Sequence, residues 1–233
     1  MSQLIVALDL ETVEAAEDLL EKLYEFDLIF KIGYEALYGY GERIFQTLQE
    51  RDMRYFVDAK LHDIPRSIAA AVRALVRPGT RIISVHALGG HAMMREAVDV
   101  AQERAAVLGL VTPQIFAVTV LTNIASEDLG ELGLRGGPAE NAIRLAALAR
   151  DAGCSGVVCS AHEVSDLRNF FGTGFLTLTP GIRLAGEAHN DQKRVMTPAQ
   201  ACATGADYLV VGRPITNAVD PVKATRAILA EMR

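Results

Sequence analysis

Cysteine is scarce in this chain: Cys154, Cys159 and Cys202 are the full set. An odd number cannot pair completely, and none has histidine at metal-ligand spacing. Neither a disulfide scaffold nor a zinc module is read here, and core packing in a reducing compartment is the expectation. Positive charge is also short, with 23 Lys and Arg against 29 Asp and Glu, a formal net charge of −6. That balance argues against a protein that grips a nucleic-acid backbone and leaves room for a local cationic pocket for one phosphate. Long apolar runs are missing too. The opening run Leu4–Leu8 stops at Asp9, too short for a secretory signal. The uncharged stretch 105–126 is divided by Gly109, Pro113, Gln114 and Asn123 into a helix end, a turn and a strand. A cytoplasmic protein with no membrane partner is expected. No linker of biased composition, second domain or solenoid repeat interrupts the chain, so residues 1–233 read as one unit.

What the chain does have is a repeated alternation. Half of its residues are hydrophobic and 22% are charged, a balance that supports a sizeable core. Eight short apolar runs are bounded by turn residues: Leu4–Leu8, Leu28–Lys31, Tyr55–Asp58, Arg81–His86, Gln114–Thr119, Gly156–Cys159, Phe175–Thr179 and Tyr208–Val211. Most are continuous and do not alternate with polar residues, as in parallel strands covered on both faces. Between them lie helical segments such as Thr12–Glu25 and Ala92–Ala106. Thr12 suits an N-cap, and Pro65, Pro138 and Pro214 each stand where a first helical turn should begin. Eight alternations predict an α/β fold, the closed (β/α)₈ TIM barrel, as a single domain.

In such barrels the chemistry sits at the C-terminal ends of the strands. Those ends carry Asp9, Lys31, Asp58 with Lys60, His86, Thr119 followed by Thr122, the run Thr179–Arg183, and Gly212-Arg213. Asp58 and Lys60 are two residues apart, so an extended strand end would point both into the mouth, with Asp63 following across a short loop. Lysines set among carboxylates stay protonated, which makes Lys60 a proton donor and a poor base. At the other side, Gly212 permits close backbone approach, Arg213 supplies a bidentate guanidinium, and a helix starting near Pro214 would offer N–H groups to an anion. The bland alternatives are a structural ion network at a barrel rim and an ordinary glycine turn.

The stretches DAKLHDIP at Asp58–Pro65, TPGIR at Thr179–Arg183, DQKRVMTP at Asp191–Pro198 and VVGRPIT at Val210–Thr216 together resemble the bacterial orotidine 5′-phosphate decarboxylases. ALDL at Ala7–Leu10 and KIGYE at Lys31–Glu35 are similar as well, so the resemblance runs through essentially the whole chain in order. D-x-K-x-x-D alone belongs to a wider superfamily of barrels, and the later segments make the match specific.

The resemblance implies decarboxylation of orotidine 5′-monophosphate without cofactor or metal, by a homodimer with shared active sites. It implies that Lys60 protonates C6, that Asp58 stands beside the substrate's carboxylate, and that Asp63 crosses from the neighbouring subunit to meet Lys60 and the ribose. Lys31 and Asp9 are implied at the ribose hydroxyls and in the charge network, and Thr122 at the pyrimidine. Gln192, Gly212, Arg213 and Arg183 are implied at the phosphate, whose binding would close the loop around Asp191 and Gln192. Ser67 stands where relatives are expected to carry threonine; it keeps the hydroxyl of a contact across the dimer and loses the methyl.

Two rival functions remain to be weighed. A metal-dependent decarboxylase or aldolase of sugar phosphates would need surplus carboxylates, which Lys31 and Lys60 offset here. A non-catalytic nucleotide- or phosphate-binding barrel would gain nothing from a charge array aimed away from the phosphate. The histidines are read as structural: His86 at its strand end, His62 and His91 packing or capping, His162 and His189 exposed in loops. None has zinc-type i, i+4 spacing.

Overall fold

The apolar runs form strands in the computed structural model, which describes residues 2–184 and 196–233. The strands are β1 (Gln3–Ala7), β2 (Ile29–Ile32), β3 (Arg54–Leu61), β4 (Thr80–His86), β5 (Gln114–Val118), β6 (Gly156–Val158), β7 (Leu176–Thr179) and β8 (Tyr208–Val211). Each pairs in parallel with the next, and β8 closes on β1 to complete the expected barrel. Boundaries differ from the sequence expectation by a residue or two at most ends. Those residues still belong to the ladder: Leu8 N–H donates to Lys31 O at 2.9 Å and Cys159 N–H to Leu178 O at 3.1 Å. The larger difference is β3, which runs on past Asp58 to Leu61.

The connecting helices are α1 (Val13–Leu23), α2 (Tyr34–Gly39), α3 (Glu42–Glu50), α4 (Pro65–Leu75), α5 (Gly90–Leu108), α6 (Ser126–Glu131), α7 (Pro138–Asp151), α8 (Val164–Phe171), α9 (Pro198–Ala203), α10 (Arg213–Thr216) and α11 (Pro221–Glu231). Local chemistry sets their ends as anticipated. Thr12 Oγ1 accepts from Ala15 N–H, and Pro65, Pro138 and Pro214 occupy first turns. Gly109 stops α5 in the left-handed conformation at φ 64°.

Strand periodicity divides the core in two. Ile5, Ala7, Ile29, Phe56, Ile82, Phe116, Val118, Val158, Leu178 and Val210 point inward and fill the barrel. Their neighbours, among them Leu4, Val6, Phe30, Val57 and Ile83, point outward and pack under the helices. Both faces are dry, which is why the sequence reads as unbroken apolar runs. Cys154 and Cys159 are buried and Cys202 is half-buried, all three as free thiols. Burial pushes the Cys154 thiol up to about 12.

Candidate active site

The inward positions continue past the apolar layer. Two residues beyond Ala7, Ile29, Phe56, Ile82 and Val210 come Asp9, Lys31, Asp58, Ser84 and Gly212. The period that buries one layer therefore raises a polar layer at the mouth.

Asp58 and Lys60 do not meet by simple alternation. The β3–β4 register runs Val57↔Ile83 and then Leu61↔Val85, so Asp58, Ala59 and Lys60 stand opposite Ser84 alone. This bulge turns Lys60 into the left-handed region at φ 45°, a conformation that costs a side-chain-bearing residue about 1 kcal/mol or more. Its result is an ion pair, with Lys60 Nζ 2.8 Å from Asp58 Oδ2. Lys31 Nζ lies 3.8 Å from the same oxygen and 3.0 Å from Asp9 Oδ1. Ser84 Oγ donates to Asp58 Oδ1 at 3.0 Å and accepts from Lys60 N–H at 2.8 Å.

Lys31 and Asp58 are each 8% exposed, and each is paired. Each also keeps a closer partner, Lys31 in Asp9 and Asp58 in Lys60, so losing either one should cost less than the ~3–5 kcal/mol of a buried pair whose survivor is left alone. Gly33 leaves room for this network: a Cβ there would stand 2.6 Å from Lys31 Nζ and 2.7 Å from Asp9 Oδ1, so those side-chain ends would have to shift.

Aromatic rings surround Lys60 and the strand end beside it. The Tyr34 ring lies under its ammonium, 5.1 Å from Nζ to centroid. Burial, and after it the Asp58 carboxylate, hold the Tyr34 phenol above its ordinary range. His86 stacks on His62 with ring centroids 5.5 Å apart. Burial foremost, then His62 and Lys60, lower the His86 imidazole to about 4, so it is neutral at physiological pH. Its Nδ1 accepts from Leu88 N–H at 3.3 Å, a capping partner that the sequence reading of a structural His86 did not name. His91 Nε2 lies 3.3 Å from Asp151 O, and His162 is exposed; His189 falls outside the described residues.

Asp63 does not join the array within the chain. It is exposed, and its Oδ1 accepts from Ile64 N–H at 2.6 Å. With the exposed Ser67 it borders an open cavity shared with Tyr34, Tyr38, Lys60 and His62.

Above the apolar layer lies a chamber of about 240 Å³. Phe56, Val118, Val158 and Leu178 form its floor, Lys31, Asp58 and Lys60 one wall, and Val120, Leu121, Thr122 and Asn123 the other. It shares Lys31, Pro180 and Val210 with a second cavity of about 360 Å³, so the two adjoin. That cavity brings Arg183, Gly212 and Arg213 together near Asp9 and Glu35. Arg183 is 9% exposed, and its Nη1 donates to Ile182 O at 2.8 Å. A Cβ on Gly212 would meet Ala7 Cβ at an ordinary 3.5 Å. Crowding within the protein therefore does not demand glycine there. The helix expected near Pro214 is the single turn Arg213–Thr216. So short a helix carries little dipole, and the guanidinium groups are the main cationic feature. Gln192 lies outside the described residues.

Sequence reasoning assigned Ser84, Gly33, Tyr34 and Asn123 no site role, and placed Pro180 at the mouth only as part of the run Thr179–Arg183. Ser84 had a signal: it is the polar residue at an inward position of Ile82–Val85. Among the described residues, no group of three or more His, Cys, Asp or Glu is arranged to hold a metal, and no helix is long and apolar enough to cross a membrane.

The chain has relatives among known proteins. A curated orotidine 5′-phosphate decarboxylase of Moorella thermoacetica is 46% identical over 231 residues, covering 99% of this chain and 92% of the relative. One from Rhodospirillum rubrum is 45% identical over 228 residues, covering 97% and 92%. The crystal structure of orotidine 5′-phosphate decarboxylase from Lactobacillus acidophilus superposes with a TM-score of 0.88 at 37% identity, covering 100% of both chains. An uncharacterized conserved protein from Geobacillus kaustophilus superposes at 0.86 with 33% identity, covering 99% of this chain and 100% of that one. The model of the orotidine 5′-phosphate decarboxylase / HUMPS family matches residues 2–228, and the chain belongs to that family.

Proposed function

We propose that the chain decarboxylates orotidine 5′-monophosphate to uridine 5′-monophosphate in pyrimidine biosynthesis, without a cofactor. One observation carries the reading: the Lys60 ammonium stands 2.8 Å from Asp58 Oδ2, in a chamber that adjoins a cavity lined by Arg183 and Arg213. A flat pyrimidine suits the apolar floor and the Thr122 wall. The phosphate suits Gly212, Arg213 and Arg183, with Gln192 joining them on the family's pattern. The ribose hydroxyls fall to Asp9 and Lys31 between the two.

The step balances without an electron sink. The bond from C6 to the carboxylate carbon breaks, carbon dioxide leaves, and the electron pair stays on C6. Lys60 Nζ stabilises that charge and delivers a proton to it, then recovers one from solvent. Asp58 holds the ammonium and stands beside the departing carboxylate. Two lysines against Asp9 and Asp58 leave no surplus negative charge to favour a divalent cation.

The working unit is a homodimer in the cytoplasm, in which Asp63 reaches the partner's Lys60 and ribose site, with Ser67 at the same contact. Exposed apolar surface beside Asp63 supports this, with Ile64 65% and Tyr38 84% accessible. The test follows the ultraviolet absorbance of orotidine 5′-monophosphate. Wild type should turn over equally with and without chelator, and Lys60→Ala should lose at least about a thousand-fold in kcat. Mixing Lys60→Ala with Asp63→Ala chains should restore part of the activity. Undiminished turnover by Lys60→Ala sinks the mechanism, and inactive heterodimers sink the sharing.

A further inference from the structure

Ser84 is fully buried, the polar residue in a stretch of β4 that otherwise carries Ile82, Ile83 and Val85. The register places it opposite all of Asp58, Ala59 and Lys60. A bulge of that size takes residues out of the ladder and leaves buried N–H groups needing other acceptors. Ser84 Oγ supplies one, accepting from Lys60 N–H at 2.8 Å. The hydroxyl proton then goes to Asp58 Oδ1 at 3.0 Å. No other polarity is available to this arrangement, since an amide N–H can only donate and a carboxylate can only accept.

The two oxygens of Asp58 are thereby divided. Oδ1 belongs to Ser84, while Oδ2 faces Lys60 Nζ at 2.8 Å and Lys31 Nζ at 3.8 Å. One hydroxyl thus fixes the carboxylate's rotation and anchors the main chain of the residue whose ammonium that carboxylate holds. Lys60 keeps an unfavourable φ of 45°, and such a conformation persists where its surroundings hold it.

We propose that Ser84 is a positioning residue for proton delivery: its hydroxyl clamps the Lys60 backbone and the Asp58 carboxylate together, setting where the ammonium stands. This rests on the decarboxylase reading above. Ser84 is fully buried opposite the bulge and does not line the chamber. Its loss should act on the chemical step and leave the distant phosphate grip intact. A displacement on the order of 1 Å at such a centre costs about a hundred-fold in rate.

Ser84→Ala and Ser84→Thr should be measured beside wild type for kcat, KM, uridine 5′-monophosphate affinity by calorimetry, and melting temperature. The alanine variant is expected to fold, to bind the product within about twofold of wild type, and to lose about 10- to 100-fold in kcat with KM little changed. Threonine keeps the hydroxyl and should recover most of the rate. The role is overturned if the alanine variant keeps kcat within about twofold, if its loss falls on KM or product affinity, or if a folded threonine variant is as slow as alanine. A wild-type chain that leaves orotidine 5′-monophosphate untouched sinks the activity and this role with it. Turnover by wild type beside an undiminished alanine variant sinks the role alone.

Discussion

The two ends of the barrel mouth are built on different plans. From β2 to β4, functional groups sit on the strands themselves, and protein partners hold them: Lys31 to Asp9, Lys60 to Asp58, and Ser84 to both Asp58 and Lys60. At β7 and β8 the cationic groups come just after the strands, Arg183 in a loop and Arg213 at the start of a single helical turn. The first plan suits a proton donor, whose position must be set to within fractions of an ångström before substrate arrives. The second suits an anion grip, where charge and reach matter more than a fixed angle. On the proposed function, the difference would separate rate from affinity between two adjoining cavities.

Breaking the second region alone gives the largest of three expected effects. Arg213→Ala should raise KM about 10- to 100-fold, the worth of one or two charge-assisted hydrogen bonds, while kcat changes by less than about tenfold. Steady-state kinetics decide this, and a collapse of kcat at unchanged KM would erase the division. Gly33→Ala probes the first region from beneath. The added methyl would push into Lys31 Nζ and Asp9 Oδ1, so kcat/KM should drop about tenfold and the melting temperature by about 2–4 °C. Kinetics and melt unchanged from wild type would show that the Lys31–Asp9 pair has room to move.

The smallest effect concerns His86, beside Lys60. Its folded value of about 4 lies below the ordinary 6.5. Between those values the unfolded chain binds the proton and the folded chain does not, so stability rises with pH across that window and levels off above it. Allowing for solvent screening, acidification from pH 7 to 4.5 should cost about 1 kcal/mol through this group. His86→Asn can keep an acceptor for Leu88 N–H and should lose correspondingly less. Thermal melts at the two pH values measure the difference, and equal losses would show that His86 is not held neutral.

Much of this plan was legible in the sequence, for physical reasons that differ by residue. The continuous apolar runs announced a parallel sheet because both of its faces are dry. Asp9, Lys31 and Gly212 were readable as strand-end residues, and the structure places all three at the mouth. The Asp58–Lys60 pairing was anticipated on the wrong geometry. Nothing in DAKLHDIP announces a left-handed lysine, since that conformation is imposed by the slip against β4 and not by local preference. Gly33 was hidden because the demand on it comes from two side chains that meet only after folding. The role proposed for Asp63, which is exposed in the isolated chain, needs a second copy to complete it.

The floor of the chamber has a further consequence. Phe56, Val118, Val158, Leu178 and Val210 line the cavity and are also the upper part of the packing that fills the barrel. Any change that recuts the floor for another ring also opens or overfills the interior. Divergence toward new substrates is therefore channelled away from the strands and into Leu121, Thr122 and Asn123, loop positions that line the chamber without belonging to the interior packing.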